Sequence, residues 1–179
     1  VNKMLKIILI IIAVIVILFI AMIIDILRIN TKELKQKEII LKGEKNKNAL
    51  VLYQKSKHKT ATNITNALAE ELNQNGYTVT INHPSKKLNY NINDYDILAF
   101  GSAVYMGQIS KPLLKYMDKI SLKNKRVIVY AIGDATDVTT EVDLLKEKAK
   151  DALLVDGIKV KTGQESKIKE FVKEYLKKS

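Results

Sequence analysis

The hydrophobic pattern divides the chain into two unequal parts. Ile7 to Ile24 is an unbroken run of 18 apolar residues, bounded by Lys6 and Asp25. At 1.5 Å rise per residue such a helix spans about 27 Å, close to the hydrocarbon thickness of a bilayer. The run is longer than the apolar core of a cleaved leader and ends in bulky Met22-Ile23-Ile24, without a small-residue cleavage site. Residues 1–28 therefore read as a retained transmembrane anchor. Residues 29–48 are polar and read as a charged stalk. Thr31 is placed to cap a helix through Lys42, with Glu33–Lys37 and Glu38–Lys42 as i,i+4 pairs and Gly43 as the stop.

From Ala49 the pattern changes to short apolar runs alternating with helical periodicity. Ala49–Tyr53 predicts a strand, and Ile64, Leu68 and Leu72 mark one face of a helix over Thr60–Leu72 that Gly76 ends. Tyr77–Ile81 predicts the next strand, broken by His83-Pro84, where the histidine reads as a turn residue. A polar crossover, Ser85–Tyr95, leaves room for about one helical turn. Ile97–Phe100 predicts a third strand, then Ser110 caps a helix from Lys111 to about Ile120 with Pro112 in its first turn. Val127–Ile132 is a fourth strand. Thr140 with Asp143 resembles a capping box for a helix to about Val155; Ile158–Val160 and Glu165–Leu176 close the chain as strand and helix. Strands that are continuous apolar runs and alternate with helices imply an α/β domain over 49–179, its parallel sheet covered on both faces.

Composition changes this picture little. The mean hydropathy of −0.04 averages an aliphatic anchor with an ordinary soluble domain, and the absence of cysteine excludes disulfides, thiolate metal sites and cysteine nucleophiles. The net charge of +11 divides into +5 over residues 1–48 and +6 over 49–179. It is almost all lysine, with Arg28 and Arg126 the only arginines, so no nucleic-acid partner is expected. Basic residues concentrate after the apolar run, from Arg28 to Lys47, which by the positive-inside bias puts the domain on the cytoplasmic side of the cell membrane.

In an open parallel sheet, ligands bind outside the carboxyl ends of the strands. The loops to inspect are therefore 54–62, 101–109 and 133–139, all rich in small and hydroxyl residues. They contain no G-x-G-x-x-G, no G-x-x-x-x-G-K-[ST] and no G-x-S-x-G, so dinucleotide, nucleoside-triphosphate and serine-hydrolase readings find no support. A phosphoacceptor receiver needs acids after the first strand, where this chain has Gln54-Lys55. Ser56, Lys57, His58, Lys59, Thr60, Ala61 and Thr62 run into a helix N-terminus, a setting that favours an anion. The acidic group Asp134, Asp137, Glu141 and Asp143 reads as a loop plus a charged first helical turn, not a metal site.

Two stretches carry a family resemblance. Ser56-Lys57-His58-Lys59-Thr60-Ala61 resembles the S-K-H-G-x-T phosphate loop of flavodoxin-domain proteins, with Lys59 and Ala61 standing where the family has glycine and threonine. The more specific stretch is Tyr95 to Gly107, which resembles their Y-D-x-(apolar)-G-S-A-V-Y-M-G segment; Lys111-Pro112 also matches. The likeness is strongest to the branch containing menaquinone-dependent protoporphyrinogen dehydrogenases and uncharacterised flavodoxin-domain proteins. It implies a flavodoxin-like three-layer sandwich with a five-stranded parallel sheet in the order 2-1-3-4-5, and FMN as cofactor. The phosphate would sit on Ser56 to Thr62, and the ring against Ser102, Ala103, Val104, Tyr105, Met106 and Gly107, with Tyr105 stacking. Gly133, Asp134, Ala135 and Thr136 would approach from the third loop.

The resulting expectation is a flavin-dependent oxidoreductase that moves electrons between a cytoplasmic donor and a membrane-proximal acceptor, a quinone or a redox protein. Porphyrinogen oxidation is a further alternative, although the chain after Gly157 runs from strand to helix without the long insertion of some relatives. A different class of function is an FMN-free interaction module at the membrane, motivated by Lys59 and Ala61.

Overall fold

The computed structural model describes residues 2–178. The first element, α1 (Lys3–Thr31), is a single helix of 29 residues. It is long and apolar enough to cross a membrane, and none of its most apolar 18-residue window is buried against the rest of the protein. Asn2 caps it, accepting a hydrogen bond from the Met4 amide at 3.3 Å.

The next segment departs from expectation. No stalk helix forms over 31–42. Thr31 ends α1, its hydroxyl donating to the Leu27 carbonyl at 2.7 Å. Ile39–Leu41 then forms a strand, β1, antiparallel to β3 (Thr78–Asn82), with Ile40 opposite Thr80. The reason is energetic. Each i,i+4 pair of the expected helix contributes only about 0.2–0.5 kcal/mol, and the same carboxylates find partners across the fold. Glu33 accepts hydrogen bonds from the Ser85 hydroxyl (3.1 Å) and the Lys86 amide (3.3 Å), and Glu38 accepts one from Tyr90 at 2.5 Å. Pairing β1 also covers an edge of β3 that would otherwise expose unpaired amides.

The sheet therefore has six strands, not five, in the order β1-β3-β2-β4-β5-β6, where β2 is Asn48–Gln54, β4 Ile97–Ala103, β5 Arg126–Ile132 and β6 Leu154–Val160. The five parallel strands keep the expected doubly wound order, and β1 adds an antiparallel edge. A second departure lies near β6. The helix α4 spans Thr140–Lys148, because Leu154 and Val155 pair with Arg126 and Val127 instead of extending it. The capping residue is Thr139, whose hydroxyl donates to Asp143 at 2.9 Å; Thr140 is the first helical residue.

Helices cover both faces. α2 (Thr60–Gln74) and α5 (Glu165–Lys177) pack Ile64, Leu68, Leu72, Val172 and Tyr175 against Val51, Val79 and Ile128. On the other face α3 (Lys111–Lys119) and α4 bring Leu113, Met117 and Leu145 onto Leu50, Leu98, Phe100 and Val129. Ser110 caps α3 as expected, accepting from the Leu113 amide at 3.4 Å. Gly101 is required by close packing, since a Cβ there would stand 2.0 Å from Cζ of the buried Tyr130. The Tyr130 hydroxyl is satisfied by Thr65 at 2.8 Å.

Candidate functional site

The loops after β2, β4 and β5 meet at the carboxyl end of the sheet, because the parallel ladders β2·β4 and β4·β5 align those strand ends. In the first loop the Ser56 hydroxyl donates to the His58 carbonyl at 2.5 Å and accepts the Ala61 amide at 3.3 Å. Lys59 stands before α2 with φ −71°, ordinary right-handed backbone, so a lysine sits in the glycine position without strain. The Ala61 methyl is fully buried in the core, so this residue offers the loop only its backbone. Thr60 and Thr62 use their hydroxyls on Thr162 (3.2 Å) and Tyr53 (3.3 Å). Their amides, in the first turn of α2, take no partner among the described residues and remain donors for an anion. The Lys57, His58 and Lys59 side chains are exposed at the rim.

The second stretch divides by burial, because Gly101, Ser102 and Ala103, expected in the loop, extend β4 by pairing with β5. Ser102 is fully buried; its hydroxyl donates to the Ala103 carbonyl (2.8 Å) and accepts the Ser110 amide (3.1 Å), bracing the entry to α3. Ala103 is also in the core, and Val104 packs against the α3 face. Tyr105 and Gln108 exchange backbone hydrogen bonds at 3.3 and 3.1 Å around Met106 (φ 51°) and Gly107 (φ 68°). Both central residues of this tight turn are left-handed. For glycine that is free; for Met106 it costs about 1–2 kcal/mol. Met106 is 66% exposed at the rim. Tyr105 reaches across to the first loop, where its hydroxyl accepts the Lys57 amide at 2.8 Å.

The third loop is braced from below. Gly133 is half-buried beside Val104, while Asp134 and Ala135 are exposed and Thr136 half-buried. The Thr136 amide donates to the Asp134 carbonyl at 3.0 Å. Glu141 takes no part in an acidic cluster. It is buried and paired with Lys159 at 2.8 Å, and Lys159 also donates to the Val138 carbonyl at 2.8 Å. Burial alone would push the Glu141 carboxyl up, but the hydrogen bond and charge of Lys159 outweigh it and hold the group below its ordinary value. The sequence did carry a signal for this pair. A lysine between Ile158 and Val160 in an apolar strand needs a partner.

His83 is not the plain turn residue its place before Pro84 implied. It is buried, and its Nδ1 lies 2.9 Å from the Tyr53 carbonyl, an acceptor, so Nδ1 carries the proton. Burial lowers its pKa, the Tyr53 carbonyl opposes that, and Lys55 and Lys37 reinforce it.

The end of α1 lies against this same end of the sheet. Asn30, 2% exposed, donates to the Tyr105 carbonyl at 3.3 Å. Gln54 donates to the Ile29 and Lys32 carbonyls at 3.3 and 3.2 Å, and Asp25 pairs with Lys57. These contacts of Asp25, Asn30 and Gln54 carried no sequence signal, because each joins residues more than twenty positions apart.

Comparison with known proteins bears on this geometry. A flavodoxin-domain family model matches residues 50–178. An uncharacterized protein of Methanocaldococcus jannaschii is 35% identical over 83 residues, 46% of this chain and 52% of the relative; the chain thus spans about half the length of the curated relative it matches. Among solved structures, oxidised flavodoxin 2 from Bacillus cereus superposes with a TM-score of 0.62 at 19% identity, over 74% of this chain and 99% of that one. A flavoprotein in complex with FMN from Lactobacillus acidophilus gives 0.51 at 15%, over 69% and 97%. The fold is flavodoxin-like.

Proposed function

Because the chain belongs to the flavodoxin-domain family, we propose that it is a membrane-tethered electron-transfer flavoprotein that holds FMN at the carboxyl end of its sheet. The donor set suits that cofactor. The first turn of α2 presents free amides beside Lys57 and Lys59, a setting for the phosphate. Small residues at Gly107, Gly133 and Ala135 allow backbone to approach a planar ring, and Tyr105 is the aromatic at hand to cover it. Tyr105 holds the Lys57 amide through its hydroxyl, so admitting a phosphate at that amide requires the ring to swing toward the second loop. FMN would supply the electron and hydride chemistry. This chain's part is to bind and orient it, and no side chain is assigned an acid–base role.

The observation that carries the reading is the seat of α1. Its last turns are hydrogen-bonded to the loops that would hold the flavin, through Asn30, Gln54 and Asp25. A helix crossing the bilayer would thus hold the flavin end of the domain at the membrane surface, on the cytoplasmic side by the positive-inside bias. There a quinone or a membrane-bound redox protein is the accessible acceptor, at a concentration raised by tethering. The finer resemblance to protoporphyrinogen dehydrogenases makes a porphyrinogen the second substrate to test.

The deciding experiment is a titration of the full chain in detergent micelles with FMN, followed by quenching of flavin fluorescence. Submicromolar binding, weakened at least tenfold by Tyr105→Ala, is the expected result. No saturable binding up to about 100 μM, roughly −5.5 kcal/mol, would sink the flavin reading in favour of an FMN-free interaction module. In that event Lys59→Gly with Ala61→Thr, which rebuilds the family's loop, should create flavin binding.

A further inference from the structure

A cavity of about 410 Å³ lies between the end of α1 and the loop after β2. It is separate from the turn that carries Met106 and Gly107. Asp25 and Arg28 of the helix and Lys32 just past its end line one side; Gln54, Lys55, Ser56 and Lys57 line the other, the last two shared with the start of the candidate phosphate loop. Four cations thus surround one carboxylate. Asp25 is already paired with Lys57, whereas Arg28, Lys32 and Lys55 make no ion pair among the described residues. The wall also contains an unsatisfied group. Gln54 is 3% exposed, its amide nitrogen is spent on the Ile29 and Lys32 carbonyls, and its side-chain oxygen is buried without a partner. Buried acceptors rarely stay unpaired.

The height of the cavity says what would fill it. Asp25 directly follows the 18-residue apolar run, so in a chain that spans the bilayer the cavity lies at the level of the lipid headgroups. We infer that this cavity is a binding site for the headgroup of an anionic phospholipid, with the phosphate held by Arg28, Lys32 and Lys55. Phosphatidylglycerol carries one net negative charge and no amine to repel Arg28, Lys32 and Lys55, which makes it the fitting probe. Lipid held here would sit between helix and domain and stiffen the seat of the flavin end. This inference rests on the membrane reading of α1 but not on FMN.

The test places the full chain in nanodiscs of mixed phosphatidylglycerol and phosphatidylcholine, then counts lipids retained on release by native mass spectrometry. The expected result is one tightly held phosphatidylglycerol, enriched at least fivefold over its share of the bilayer. Arg28→Ala with Lys32→Ala should remove the enrichment. Lys35→Ala with Lys45→Ala, equal in charge and outside the cavity, should keep it. No enrichment in the native chain would overturn the site. So would equal loss in both variants, which is what diffuse attraction to a basic segment produces. Displacement of the lipid by saturating FMN would reassign the cavity to the flavin phosphate. Failure to co-elute with nanodiscs would instead overturn the membrane reading itself, and the lipid site with it.

Discussion

Two ion pairs brace the carboxyl end of the sheet, and they differ in almost everything but chemistry. Lys159–Glu141 has side chains 3% and 5% exposed and ties the first turn of α4 to β6. Lys57–Asp25 has side chains 52% and 49% exposed and ties the loop after β2 to the end of α1. Charges out of water are expensive to leave unpaired, so the first pair makes a rigid wall. Charges in water gain little from each other and are screened by salt, so the second pair is a latch that can open without harming the domain. One side of the candidate site is thus built into the core, and the other is shared with the helix.

The largest effect should come from breaking the wall. Glu141→Ala leaves the Lys159 ammonium buried without its carboxylate, and should lower unfolding free energy by about 3–5 kcal/mol in urea titrations followed by circular dichroism. Glu141→Leu with Lys159→Met removes both charges, and most of that loss should be recovered. A double variant as unstable as Glu141→Ala alone would mean that packing, not the stranded charge, sets the cost.

Acid should act next, in two steps. The pKa of His83 is lowered in the fold by burial, so the neutral ring contributes stability above about pH 6.5, its unfolded value, and that contribution fades as pH falls below it. Burial pushes the Glu141 carboxyl up but Lys159 holds it below its ordinary value, so its contribution is present above about pH 4.5 and lost as pH falls through its folded value. Urea midpoints measured from pH 7.5 to 4 should fall first below pH 6.5, and His83→Gln should flatten that first step alone. A flat native profile between pH 7 and 5 would contradict the buried neutral ring.

The smallest effect belongs to the latch. Asp25→Asn should change domain stability by less than about 1 kcal/mol. It should nonetheless speed amide hydrogen exchange at Lys57 and its neighbours, as should higher salt in the native chain. Exchange unchanged by either would show that Gln54 and Asn30, and not the ion pair, seat the helix.

Much of this molecule was legible in consecutive residues. The run Ile7–Ile24, the apolar strands ending at Tyr53, Phe100 and Ile132, and the helix face Ile64-Leu68-Leu72 are local periodicities, and each lies in an element of the implied type, although β4 runs on to Ala103. The three candidate loops could be grouped because strand direction fixes which ends of a parallel sheet lie on one side. Where local rules failed, a distant partner outbid a local one. Ile39–Leu41 looked like the end of a charged helix until β3 offered a ladder, and Leu154–Val155 left α4 for β5.

The sequence by itself determined most of the helices and strands, which stretch is long and apolar enough to cross a membrane, and which strand ends carry the candidate loops. Only the tertiary structure decided that Glu141 stands on Lys159, that Tyr105 reaches Lys57, and that the end of α1 is fastened to the site by Asn30 and Gln54. The physical reason is range. Periodicity is a property of neighbours along the chain, whereas Asn30 and Tyr105 are 75 residues apart and meet only because the sheet brings its strand ends together.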